Sequence, residues 1–215
     1  MRWRWLLLGA AACVAGLGGL LGFQIIGAII MNQFETTAFE VDGDTLYMNG
    51  EINAKTLDQF EAVIATHPGI ATLVECDVPG SFDDDTMIPL SYRVRELGIA
   101  THLTATSEIA SGGVDLFLAG VTRTMAPGAR LGVHSWSDGR RDAVEYPRDA
   151  PEHEANRAYV EAMLGDDGFY WFTIEAAPAA KIHWMSDAEL SRYDVLTAPP
   201  APAPEYDCDG RFGAR

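Results

Sequence analysis

An α/β fold with a largely parallel sheet is what this sequence predicts, on three observations. Short apolar runs that read as strands alternate with longer amphipathic runs that read as helices, from residue 45 to about residue 197. Glycine-bearing turns join strands to the helices that follow them. Apolar residues make up 48% of the chain and aromatic residues 10%, enough for a packed core. No internal repeat is evident.

The elements follow in order. "TLYMNGEI" (45–52) alternates as a hairpin or strand pair turning at Asn49–Gly50. "NAKTLDQFEAVIATHP" reads as a helix capped by Asn53, with Leu57, Phe60, Val63 and Ile64 on one face and Pro68–Gly69 as its stop. "IATLVEC" (70–76) reads as a buried strand, "DVPGSFDDD" as a turn, and residues 84–97 as a helix stopped by Gly98. "IATHLTA" (99–105) is a second strand, followed by a helix from Gly112 to Ala119. "TRTMAP" and "ARLGVHSW" are two further short strands, and "SDGRRDAVEYPRDAPEH" is an exposed loop. Two helices broken near Gly165–Gly168, then a short helix in "MSDAELSRY", complete a domain over residues 45–197. Residues 34–44 read as a polar stalk and residues 198–215 as a proline-rich flexible tail.

Residues 1–33 read as a membrane anchor. Trp5 to Met31 is a 27-residue uncharged stretch. As a helix it would rise roughly 40 Å and cross a bilayer core with some tilt. Arg2 and Arg4 precede it, so the N-terminus is expected inside and the body outside the cytoplasm. Cleavage after a small-x-small site at Ala10 and Ala12, or lipidation of Cys13, are the competing readings. Gly18 and Gly22 have the spacing that packs two such helices. In an oxidising compartment Cys76 and Cys208 would be free to pair and tie down the tail; the cysteine spacing fits no zinc site.

Net charge is −16, and the body without the two N-terminal arginines stands at −18. Such a body repels a phosphate backbone, which argues against nucleic-acid binding. Lys55 and Lys181 are its only lysines, so few amines could serve as a base.

The chemistry centres on "SEIASGGVDLFLAG" (107–120), where Ser111 meets two glycines as a strand passes into a helix. A hydroxyl that attacks a carbonyl needs a base, two donors for the developing oxyanion and a group to orient the base. Gly112 and Gly113 allow close backbone approach there. "VPGS" is a second strand-to-helix glycine turn, and two such turns on neighbouring parallel strands would emerge at one sheet edge. His134, ending "ARLGVHSW", is the best-placed imidazole. The competing reading makes Ser111 a helix cap and His134 the partner of a buried carbonyl.

The span 45–197 resembles the Clp-protease/crotonase superfamily, a β-β-α spiral that includes the Clp proteolytic subunit and signal peptide peptidase A. "PGS" (79–81) resembles the oxyanion-hole turn, "ASGG" (110–113) the nucleophile turn, "PGARLGVHS" (127–135) the histidine strand and "WMSDAELSRYDVL" (184–196) the late helix. The combination "FLAG…R…PGARLG-HS" is most similar to secreted or membrane-anchored bacterial Clp-like proteins.

The resemblance implies Ser111 as nucleophile, His134 as general base and the backbone N–H groups of Gly80 or Ser81 and of Gly112 as the oxyanion hole. It implies a peptide or protein substrate, no cofactor or metal, and a homo-oligomer. The location it implies is single-pass in a bacterial inner membrane, with the domain in the periplasm. Two departures stand out. Ser81 occupies a position where the family has a second glycine, followed by Asp83, Asp84 and Asp85. Where the family has the orienting acid this chain has Pro178; Glu175 and Asp187 are the nearest carboxylates, and Lys181 is the only lysine beyond the nucleophile turn. A serine peptidase is therefore the first expectation, and a non-catalytic domain binding a peptide or protein in the same pocket is the second. An acyl-CoA enzyme fits least, since the −18 body repels CoA phosphates.

Overall fold

In a computed structural model of the chain, residues 37–82 and 84–213 are described. The expected membrane anchor lies outside the described residues, and so does Asp83. Among the described residues no helix is long and apolar enough to cross a membrane.

The strands form two sheets where the sequence pattern had suggested one. The first has the order β1–β2–β3–β5–β7 and is parallel except for β1. Its strands are β1 (Ala38–Asp42), β2 (Thr45–Asn49), β3 (Thr72–Glu75), β5 (Ala100–Leu103) and β7 (Arg123–Met125). The second has the order β4–β6–β8–β9 and is parallel except for β9. It contains β4 (Asp77–Val78), β6 (Glu108–Ala110), β8 (Arg130–Val133) and β9 (His183–Trp184). Short strands with turns between them let the chain step from one sheet to the other, which periodicity alone does not reveal.

Seven helices are described: α1 (Thr56–Thr66), α2 (Asp84–Glu96), α3 (Gly112–Leu118), α4 (Glu154–Leu164), α5 (Gly168–Ala176), α6 (Asp187–Arg192) and α7 (Asp209–Phe212). Local chemistry explains their ends. Asp84 and Asp85 open α2 while Arg93 and Arg95 lie in its last turn, charges that match the helix dipole. Gly165 closes α4 at φ 93°, and Ser186 with Glu189 forms a reciprocal cap on α6. The core joins Leu46, Leu73, Val78, Ile109, Val114, Phe117, Leu131 and Val133 from both sheets and α3 with Phe60, Leu90, Val94, Tyr159 and Phe169 from surrounding helices.

Three boundaries differ from the sequence reading. Residues 38–42, read as stalk, pair antiparallel with β2, and the hairpin turns at Gly43 (φ 62°) and not at Asn49–Gly50. Asn53 accepts from Lys55 N ahead of α1, which itself begins at Thr56. The tail read as flexible is packed. Thr197 and Ala201 donate to the carbonyls of Arg123 and Met125 on edge strand β7. Cys208 is bonded to Cys76, and Tyr206 and Phe212 lie against Tyr47 and Val74.

Candidate active site

The strand order of the second sheet builds the site. β6 runs between β4 and β8, all three parallel, so their C-terminal ends meet at one edge. The central strand delivers Ser111. The strand on one side leads into the Pro79–Gly80–Ser81 turn, and the strand on the other into His134. Neighbouring strands lie roughly 4.8 Å apart, which sets the spacing of the three stations.

Ser111 has φ 52° and ψ −126°, a backbone conformation that side chains other than glycine rarely adopt. Its N–H donates to Gly132 O at 3.0 Å, extending the β6–β8 ladder by one residue. Its carbonyl accepts from Val114 N at 2.8 Å and Asp115 N at 3.2 Å, starting α3. The side chain caps nothing. A residue pinned by its backbone on both sides, in a strained turn and with its hydroxyl unused, is not explained as a helix cap. Strain of this kind costs about 1–3 kcal/mol and persists where the surroundings over-determine it.

The glycine turn is stitched down by Ile52, whose N–H donates to Gly80 O while its carbonyl accepts from Phe82 N, each at 2.9 Å. Gly80 takes φ 156°, and a Cβ there would lie 3.3 Å from the Ser111 Cβ and 3.8 Å from its Oγ. The unusual φ thus falls on Gly80, and Ser81 keeps an ordinary conformation, so the serine at the family's second glycine position is not strained. A Cβ on Gly112 would lie 2.5 Å from Ser81 Cβ and 3.0 Å from Ser81 N. The first turn of α3 therefore lies directly against the glycine turn, with the Ser81 and Gly112 backbones side by side.

His134 is half-buried, and its Nδ1 lies 2.7 Å from the carbonyl oxygen of Ser135. A carbonyl only accepts, so Nδ1 carries the proton and Nε2 presents a lone pair. No hydrogen bond joins the imidazole to Ser111 Oγ. Neither suggested acid reaches the ring. Glu175 is exposed and pairs with Arg148 at 2.7 Å. Asp187 is exposed in the first turn of α6, where it lines a cleft of about 290 Å³ with Leu190, Asp194 and Pro199 that neither Ser111 nor His134 lines. The segment around Pro178 offers the Ala177 carbonyl, which accepts from Ser135 N at 2.8 Å. Lys181 is exposed.

The other histidines are engaged elsewhere. His102 bonds Thr124 within the first sheet, and His183 pairs with Glu189. His153, at the end of the segment read as an exposed loop, is buried among Trp136, Tyr146, Tyr170 and Trp171. Two residues beside the site escaped the sequence reading. Ser135 stood in the "GVHS" motif without a role. Asp115, the lone acid of the apolar "GGVDLFLAG", lies one helical turn beyond Ser111. Burial, and secondarily the charge of Asp84, push its carboxyl up to about 7.

Among the described residues no cluster of three metal-ligating side chains occurs. No family model matches the sequence, and no curated protein matches it. Solved structures do. A ClpP1 variant from Listeria monocytogenes superposes with a TM-score of 0.51 at 16% identity, over 76% of this chain and 94% of that one. A variant of the 1510-N membrane-bound stomatin-specific protease in complex with a substrate peptide gives 0.48 at 19%, over 74% and 75%. An enoyl-CoA hydratase from Bacillus anthracis gives 0.47 at 11%, over 75% and 69%. The chain shares its α/β fold with that ClpP1 structure.

Proposed function

We propose that this chain is a serine hydrolase of peptides or small proteins, with Ser111 as nucleophile and His134 as general base. The observation that carries the reading is the positive-φ turn at Ser111, set on the central strand between a glycine turn and the histidine-bearing strand. In the first step His134 Nε2 takes the Ser111 hydroxyl proton as Oγ bonds the scissile carbonyl carbon, whose π electrons move onto oxygen. The N–H groups of Gly112 and of Ser81 or Gly80 receive that oxyanion. Its collapse breaks the C–N bond, and the Nε2 proton leaves with the amine. Water then repeats the sequence on the acyl-enzyme. Apo sites commonly hold such pairs loosely and tighten on substrate, so the lack of a Ser111–His134 hydrogen bond does not oppose the reading.

The reading extends to location. The 27-residue uncharged stretch behind Arg2 and Arg4 would hold the domain at the outer surface of a membrane. The Cys76–Cys208 disulfide suits an oxidising compartment. A second reading, a non-catalytic domain that binds peptides at the same edge, draws on the partner of His134 Nδ1, which among the described residues is a main-chain carbonyl and not a carboxylate. Fluorophosphonate labelling separates the two. The hydrolase labels, losing all labelling in Ser111→Ala and most of it in His134→Ala; folded protein that never labels belongs to the second reading.

A further inference from the structure

We infer that Ser135 is the positioning residue of this site and takes the place of an orienting carboxylate, which no described residue supplies to His134. This rests on the hydrolase reading above. The main-chain carbonyl of Ser135 receives the His134 Nδ1 proton at 2.7 Å, and that contact alone selects the tautomer whose Nε2 can accept a proton from Ser111. A backbone carbonyl at the end of a strand would ordinarily be free to rotate away. The residue that bears this one is anchored through its own N–H and hydroxyl.

Ser135 is fully buried. Its N–H donates to Ala177 O at 2.8 Å, just past α5. Its Oγ accepts from Ala143 N at 3.0 Å and donates to Trp136 O at 3.1 Å. The Ala143 N–H also reaches Trp136 O at 2.9 Å, so the 136–137 peptide, next to the one that carries the acceptor carbonyl, is bonded to the turn at 143–145. Trp136 is anchored in turn, its Nε1 donating to Tyr170 Oη at 3.0 Å, while that hydroxyl meets His153 Nδ1 at 2.6 Å. Every polar atom of Ser135 is thereby used: N–H on the Ala177 carbonyl, Oγ on Ala143 N and Trp136 O, C=O on the imidazole. The two hydroxyl bonds, one to the 143–145 turn and one to the Trp136 carbonyl, tie down the chain on either side of the peptide that carries the imidazole acceptor.

The substitution has a chemical consequence. A neutral carbonyl fixes ring and tautomer as a carboxylate would, but supplies no net charge to stabilise the imidazolium formed when Nε2 takes the serine proton. The site is organised for acyl transfer yet driven weakly, and its rate depends on how firmly the carbonyl is held.

The test reads the tautomer directly. In ¹⁵N-histidine-labelled full-length protein, long-range ¹H–¹⁵N NMR assigns the His134 ring as Nδ1–H with Nε2 unprotonated, the reverse of the preference of free histidine. Ser135→Ala removes both Oγ bonds: a mixture of tautomers is expected, with a fall of about 10- to 100-fold in the fluorophosphonate labelling rate. Ser135→Thr keeps the hydroxyl and the tautomer, and recovers most of the rate. An Nε2–H ring in the wild type overturns the inference, as does a Ser135→Ala variant that keeps both tautomer and rate. Wild-type protein that fails to label while holding Nδ1–H removes the hydrolase reading and still upholds Ser135 as the group that sets the ring.

Discussion

Gly112 and Ser81 touch: a single carbon added to Gly112 would lie 2.5 Å from the Ser81 Cβ, closer than packed carbons come. Two turns far apart in the chain are thus pressed together, and the gap between their backbones is fixed by the absence of a side chain. Gly112→Ala is therefore expected to destabilise the protein by about 1–3 kcal/mol, the usual range for overpacking. It should also displace the glycine turn and cut labelling at Ser111 by more than about tenfold. Gly69→Ala, with nothing within 4 Å, is the control and should leave labelling unchanged. Denaturation midpoints and labelling rates on the two variants check both halves.

The strain at Ser111 gives a second expectation. At φ 52° a glycine is at ease where serine and alanine are not. Ser111→Gly should raise stability by about 1 kcal/mol, whereas Ser111→Ala should not, and neither should label. A stabilised but inert glycine variant is the pattern of a backbone held strained for function. Equal stability of the two variants would mean the turn carries no such cost.

Two carboxyls make stability depend on pH. Burial and the Asp84 charge push Asp115 up to about 7, and burial pushes Glu75 well above its usual range, its two oxygens having no hydrogen-bond partner. Both are acids whose folded pKa is raised. Their stabilising contribution is whole below about pH 4, where the unfolded chain is also protonated, and is lost as pH rises through the folded value. Thermal stability should therefore fall between about pH 4 and pH 7, by up to a few kcal/mol for Asp115. Asp115→Asn should flatten that fall, and Glu75→Gln should raise stability at neutral pH. Melting curves across this range, with identical slopes in all three proteins, would contradict the assignment.

The Cys76–Cys208 bond closes a loop with a sequence separation of 132. In the chain-entropy account its loss costs roughly 5 kcal/mol, with 2–4 kcal/mol the usual measured range. Reduction, or Cys208→Ser, should lower the melting temperature and release Tyr206 and Phe212 from the sheet face they cover. Limited proteolysis would then cut within residues 203–213 of the reduced protein first. An unchanged digestion pattern would show that the hydrogen bonds of Thr197 and Ala201 to β7 suffice to hold the tail.

Much of this organisation was legible in the sequence, for stated reasons. Strand-to-helix glycine turns mark close backbone approach, and that marks Gly80, Ser111 and Gly112 in the sequence. The helix positions followed from apolar spacing and from stops such as Gly98 and Gly165. Other features carry no local signal. β6 and β9 are three and two residues long, too short for periodicity, so the second sheet was invisible as a separate unit. The tail's composition matched disorder because its anchors, a distant cysteine and the edge of β7, are tertiary. A sequence shows side-chain carboxylates such as Glu175 and Asp187, but it does not show which main-chain carbonyl faces the ring. The acceptor of His134 Nδ1 is the Ser135 carbonyl.

The most direct measurement is peptide mapping by mass spectrometry after fluorophosphonate treatment of the folded full-length protein. One phosphonyl adduct on Ser111 is expected, absent in Ser111→Ala and formed at least about 100-fold more slowly in His134→Ala. An unmodified Ser111 in folded protein, or an adduct that forms at the same rate without His134, would contradict the account.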